Sequence, residues 1–368
     1  MRYAVWSLIA LLVSTGRPGA QSAAGWLYVN SFQGSGLEVF ELPSLKPVHA
    51  VPASSPAGSI GAAVTRDGKR LFVVDGDKSS RLRVLDAATG GELASHPFEN
   101  RLLLIGGRHV LHLTADDNWL LIKTYDYPSA AAGVRVFDVK RGRFATLGLR
   151  NRACGAPLFA SARDGTLFSV CPNLVQELQP LAPAPGEFIE RARAPTAIAE
   201  VADVRLSPDG TRLYILEQMG DGSQWRLVEW TRGETSVREH DLRKLLEGVP
   251  AVPGSGGAAW MDVSLDGRKL GLVRGRRAWI LERETLRVIH QVDLPSPADG
   301  AQFSLDGEEL LSLREGTSER VAGGITERTA GGLLVRINTE TGKFRETPLP
   351  GVTIGSGLAV FAVAPAPR

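Results

Sequence analysis

Residues 113–171 read LTADDNWLLIKTYDYPSAAAGVRVFDVKRGRFATLGLRNRACGAPLFASARDGTLFSVC. An apolar segment enters the Asp116-Asp117-Asn118 turn and leaves it as WLLIKTY (119–125). The loop DYPSAAAG (126–133) leads to a third strand, VRVFDV (134–139), and Lys140-Arg141-Gly142 turns into a fourth. Short β-branched, alternating runs bounded by Asp, Asn and Gly are strand and hairpin signals. The stretch then opens a second unit at Arg163-Asp164-Gly165 and holds both of the chain's cysteines, Cys154 and Cys171.

The same turn returns along the chain. Its aspartates fall at Asp67, Asp117, Asp164, Asp209, Asp266 and Asp306, between 40 and 57 residues apart. An aspartate bonds its own turn backbone, and the glycine that usually follows supplies the positive φ of a tight hairpin. A second turn follows most of these units, at Gly90, Gly142, Thr285 and Gly342, and leads into a fourth strand. Four strands repeated at this period form one blade of a β-propeller. Six such blades carry the Asp-centred turn. WLYVNSF (26–32) and LEVFEL (37–42) lack it, and the C-terminal run GLAVFAV (357–363) has no blade of its own. Pairing the two ends completes a blade and removes a sheet edge. The expectation is an all-β, seven-bladed β-propeller closed by its N- and C-terminal strands, with six or eight blades as alternatives, forming one domain over residues 25–368. The segment 238–249, REHDLRKLLEGV, is the best helix candidate.

Arg2, the apolar run Ala4–Val13 and the small residues Gly19, Ala20, Ser22, Ala23 and Ala24 read as an export signal over residues 1–24; the alternative is a buried helix. No later run has the length of a membrane span. The expected location is periplasmic or secreted. With 42 basic and 40 acidic residues the net charge is +2, and no basic stripe marks a nucleic-acid footprint. Two cysteines in an exported chain favour a bond, and the Asp164-Gly165 hairpin folds the strands near Cys154 and Cys171 antiparallel; two buried free thiols are the alternative.

Catalytic groupings are sparse. The six histidines are scattered, and His109 and His112, three apart on a strand, point to opposite faces. No Gly-x-Ser-x-Gly elbow, haem-attachment motif or phosphate-binding glycine loop occurs. The sequence therefore offers no catalytic, cofactor-binding or metal-binding residue. The rim opposite the Asp-Gly turns is the more varied one. It is expected to carry Asp75, Asp77, Tyr125, Asp126, Tyr127, Met219, Asp221, Trp225, Arg274, Arg276, Arg277 and Arg314, either as a docking surface or as solvated loops. Asp75-Gly76-Asp77 reads as a turn rather than a calcium site, and Arg274 to Arg277 as a solvated loop or an anion-attracting one.

The opening stretch resembles the heavy, β-propeller subunit of quinoprotein amine dehydrogenases. The resemblance lies in Leu113-Thr114-x-Asp116, the aromatic-rich strand, the Pro/Ala-rich loop, the run Gly133-Val134-x-Val136-x-Asp138, and the two cysteines that follow. LYILEQMGDGSQW (213–225) is a weaker second match. It implies a periplasmic seven-bladed subunit without redox chemistry of its own. Its partner would be a small cysteine-rich light chain that carries tryptophan tryptophylquinone, oxidises primary amines and passes electrons to a small copper protein. This chain holds too few cysteines to be that light chain. Outside this stretch the spacing is shared with stand-alone YVTN-type binding propellers and with lactonase-like propellers, which are hydrolases.

Overall fold

The computed structural model describes residues 25–31, 36–54, 59–75, 80–97, 110–126, 131–145, 157–180, 188–198, 200–219, 224–246, 259–315, 331–352 and 361–366. These residues form seven four-stranded antiparallel sheets, the blades of a β-propeller. The expected closure is present. Phe361–Pro365 is the first strand of blade 1 and pairs antiparallel with Gly25–Ser31, placing Leu27 opposite Val363 and Tyr28 opposite Ala362. Blades 2 to 7 follow in chain order, and each begins with its innermost strand. The expected export signal lies outside the described residues.

The turns fold for the reason the sequence gives, with one added partner. In blade 2, Thr65 Oγ1 donates to Asp67 Oδ1 at 2.6 Å, and the same oxygen accepts from the Lys69 amide at 3.0 Å. Ser207 and Asp209, Ser264 and Asp266, and Ser304 and Asp306 repeat the pairing. The Ser207 hydroxyl holds the Asp209 carboxyl down at about 2. Gly68, Gly165, Gly210, Gly267 and Gly307 all have positive φ. Blade 3 corrects the turn assignment. Thr114 donates to Asp116, so Asp116 is the turn carboxylate, while Asp117 takes the left-handed position with φ 56°. Aspartate is among the few residues other than glycine that tolerate it.

The second strand of a blade is buried on both faces, as in Arg70–Asp75, where only Arg70 is exposed. Buried apolar residues gather in seven clusters, one between each pair of neighbouring blades. Tyr214, Leu216 and Trp225 of blade 5, for instance, meet Met261, Leu270 and Trp279 of blade 6. Each such side chain contributes about 1.5–3 kcal/mol when removed from water. The ring is thus held by interfaces between blades, with no single central core.

The expected helix at 238–249 is largely absent. Val237–Asp241 is the outer strand of blade 5, and among the described residues of the segment only Arg243–Leu246 is helical; 247–249 lie outside them. The ladder to Arg226–Trp230 captures the first half of the pattern. Asp241 then accepts from the Arg243 amide at 2.8 Å and starts the short turn. No described helix is long and apolar enough to cross a membrane.

Candidate functional site

The two rims of the ring are built differently. The Asp-centred hairpins make one rim. The opposite rim carries the connections between second and third strands and the links between blades, with the longest within-blade connection, 316–331, in blade 7. Buried ion pairs brace this second rim. In blade 2, Asp75 is fully buried with Arg83 Nε 2.8 Å from its carboxylate, and Arg83 Nη2 donates to Pro52 O at 2.9 Å. In blade 5, Glu217 is fully buried against Arg226, which also meets Glu239 and donates to Ala197 O at 2.6 Å. In blade 7, Arg314 pairs with Glu346 at 2.5 Å and donates to Ser296 Oγ at 2.6 Å. Each guanidinium neutralises a carboxylate on its own blade and ties down the link that precedes it. A charge-assisted hydrogen bond of this kind is about twice as strong as a neutral one.

This bracing corrects part of the expected docking surface. Asp75, Trp225, Arg274 and Arg314 are buried, at 0%, 0%, 3% and 5% exposure. They lie beneath the rim and present no exposed surface to a partner. Arg276 is exposed, while Arg277 is half-buried, pairs with Asp293 at 2.7 Å and stacks over Trp279. Met219 is half-buried at the end of its strand. Tyr125 and Asp126 close the strand Trp119–Asp126, opposite Ala132 and Ala131. Asp77, Tyr127 and Asp221 lie outside the described residues. Cys171 is 1% exposed at the end of its strand, and no cysteine among the described residues is free. Cys154 lies outside them.

The two inner strands of the blades hold further polar groups, of which the sequence singled out only His112. Asp203 accepts from the Met261 amide of the next blade at 2.8 Å, and Asp262 accepts from Phe303 N at 2.7 Å in the blade after that. Arg205 bridges both carboxylates, at 2.8 Å to Asp203 and 3.2 Å to Asp262. These acids chain blades 5, 6 and 7 together, and with their oxygens so engaged neither is placed as a general base. Between blades 3 and 4, His112 Nε2 lies 2.9 Å from Ser161 Oγ, which accepts from the Ala115 amide. Burial, aided by the nearby Lys123, lowers the His112 pKa to about 4. Burial alone lowers Lys123 to about 7. Lys123 stands where the other Asp-turn blades place Val74, Cys171, Leu216, Val273 and Leu313. The signal was present in WLLIKTY, a charge inside an otherwise buried strand. Among the described residues no group of His, Cys, Asp and Glu could hold a metal ion.

No family model matches the chain, and no curated protein matches it. Solved structures do. A protein of unknown function from Desulfotomaculum acetoxidans superposes with a TM-score of 0.62 at 12% identity, covering 93% of this chain and 99% of that one. A protein from Bacteroides uniformis, provisionally named a 6-phosphogluconolactonase, gives 0.58 at 13% identity, covering 92% and 100%. Dihydro-heme d1 dehydrogenase NirN, in complex with DHE, gives 0.53 at 15% identity, covering 88% and 73%. At these identities the likeness shows the shared propeller fold and nothing finer.

Proposed function

We propose that this chain is an exported, non-redox binding propeller that presents its loop-bearing rim to a protein partner. The observation that carries this reading is the set of buried guanidinium braces in blades 2, 5 and 7, which tie down three of the links on that rim. A rim held in one geometry before contact loses less entropy on binding. The partner we propose is a small light chain bearing tryptophan tryptophylquinone, with a copper protein as electron acceptor. Support comes from the resemblance of residues 113–171 to the heavy chains of quinoprotein amine dehydrogenases. We place the protein in the periplasm or outside the cell on the strength of Arg2 and the apolar run Ala4–Val13. In that setting Cys171 bonds to Cys154, the chain's only other cysteine.

The test is purification from the exporting host. Co-elution in fixed stoichiometry with a small subunit that absorbs as a quinone and reduces a dye when given a primary amine supports the proposal. A propeller that elutes alone, without amine-dependent reduction, leaves a stand-alone binding protein of the YVTN type. A lactonase-like hydrolase is the second reading, favoured by the similarity to propellers provisionally named 6-phosphogluconolactonases. Hydrolysis of a lactone by the purified chain alone would establish it in place of the first.

A further inference from the structure

Asp75, Glu217, Arg274 and Arg314 occupy one ring-equivalent position, the eighth residue after the turn aspartates Asp67, Asp209, Asp266 and Asp306. All four are buried within the last three residues of a second strand, under the loop-bearing rim. Three of them are ion-paired within their own blade, with Arg83, Arg226 and Glu346 respectively. Arg274 breaks the rule. It is 3% exposed, yet no carboxylate among the described residues pairs with it. Among the described residues its one side-chain hydrogen bond is a long one, 3.5 Å from Nη1 to Leu246 O, and its Nε is buried without an acceptor. The guanidinium lies over the ring of Trp225, 5.1 Å from the centroid. The Trp225 indole N–H is likewise buried without an acceptor. Two donors without an acceptor among the described residues therefore sit on stacked side chains at the interface between blades 5 and 6.

An unpaired buried cation is costly, and stacking on an aromatic face offsets only part of that cost. Blades 2, 5 and 7 show what a charged side chain at this position requires, which is a countercharge. We infer that Arg274 and the Trp225 N–H form a binding site for the carboxylate or phosphate group of a small molecule. The planar fork of arginine matches both groups, and an adjacent indole N–H supplies a further donor. Burial lowers the pKa of Arg274, and a bound anion would offset that loss by favouring the charged guanidinium. This site does not depend on whether the rim receives a light chain, since it lies beneath the surface a protein would cover.

The full-length mature chain should be titrated with sodium phosphate and with sodium succinate, against sodium chloride at matched ionic strength, by thermal unfolding and calorimetry. Phosphate, succinate or both should raise Tm above the chloride control, and the arm that responds identifies the group. Arg274→Met should weaken binding by at least tenfold. Trp225→Phe keeps the stacked ring but not the N–H, and should weaken it several-fold; it carries the test if Arg274→Met does not fold. A wild type that responds to neither anion overturns the site, as does an unchanged affinity in Trp225→Phe and in any folded Arg274→Met. A response that appears only after Asp221→Asn or Glu247→Gln also overturns it, because the chain would then supply its own countercharge.

Discussion

His112 and Lys123 are two basic side chains that burial holds toward their neutral forms, on one face between blades 3 and 4. His112 titrates near 4 in the folded chain, below its ordinary value of 6.5. The unfolded chain therefore binds that proton first, and stability falls as pH drops from 6.5 toward 4. The contribution is on the order of 2 kcal/mol after discounting for partial exposure. Urea unfolding of His112→Gln should lack this part of the acid-side loss. Lys123 shifts the opposite end of the profile. It titrates near 7 when folded and 10.5 when free, so stability should rise with pH across that window. Lys123→Met restores the apolar residue type of most equivalent blades. It should gain about 1–2 kcal/mol at pH 7 and lose the alkaline rise. A variant less stable than the wild type at pH 7 would mean that the lysine has a partner in the folded state.

At the scale of the element, the hairpin turn is where sequence and structure agree best. The Asp-Gly period was legible because a turn needs one acceptor and one positive φ, both of which are local. The Ser or Thr two residues before the aspartate was equally visible and completes the motif in blades 2, 3, 5, 6 and 7. Blade 4 has Ala162 there, and its Asp164 turns to Arg232 of blade 5 at 2.7 Å instead. Ala162→Ser should restore the hydroxyl-to-carboxylate bond and raise stability by about 0.5–1 kcal/mol, readable as a small increase in Tm. What was not legible depends on partners distant in sequence. Asp75 and Arg314 looked like exposed loop charges because their burial is set by Arg83 and Glu346, across the sheet. Trp225 read as a surface aromatic for the same reason, since blade 6 covers it. The segment 238–249 kept its helical pattern only beyond Asp241, because a strand ladder claimed the rest.

For the whole molecule, the decisive contact is the one the ends of the chain make. Blade 1 takes three strands from the start of the described chain and its innermost strand from Phe361–Pro365. That strand packs against blade 2 as well, since Ala364 joins Tyr28, Leu71 and Val73 in the interface between the two blades. Its loss would do more than remove five ladder pairs. It would expose the backbone edge of Gly25–Ser31 and open the apolar face shared by blades 1 and 2. An unpaired edge is a template for pairing with another chain. A chain truncated after Val352 should keep most of its β-sheet signal but elute as dimers and larger species, with a lower urea midpoint. Adding a peptide that spans residues 358–366 should restore the monomer if closure alone is at fault. A truncated chain that remains monomeric with an unchanged midpoint would show that the seven interfaces hold the ring without its closing strand.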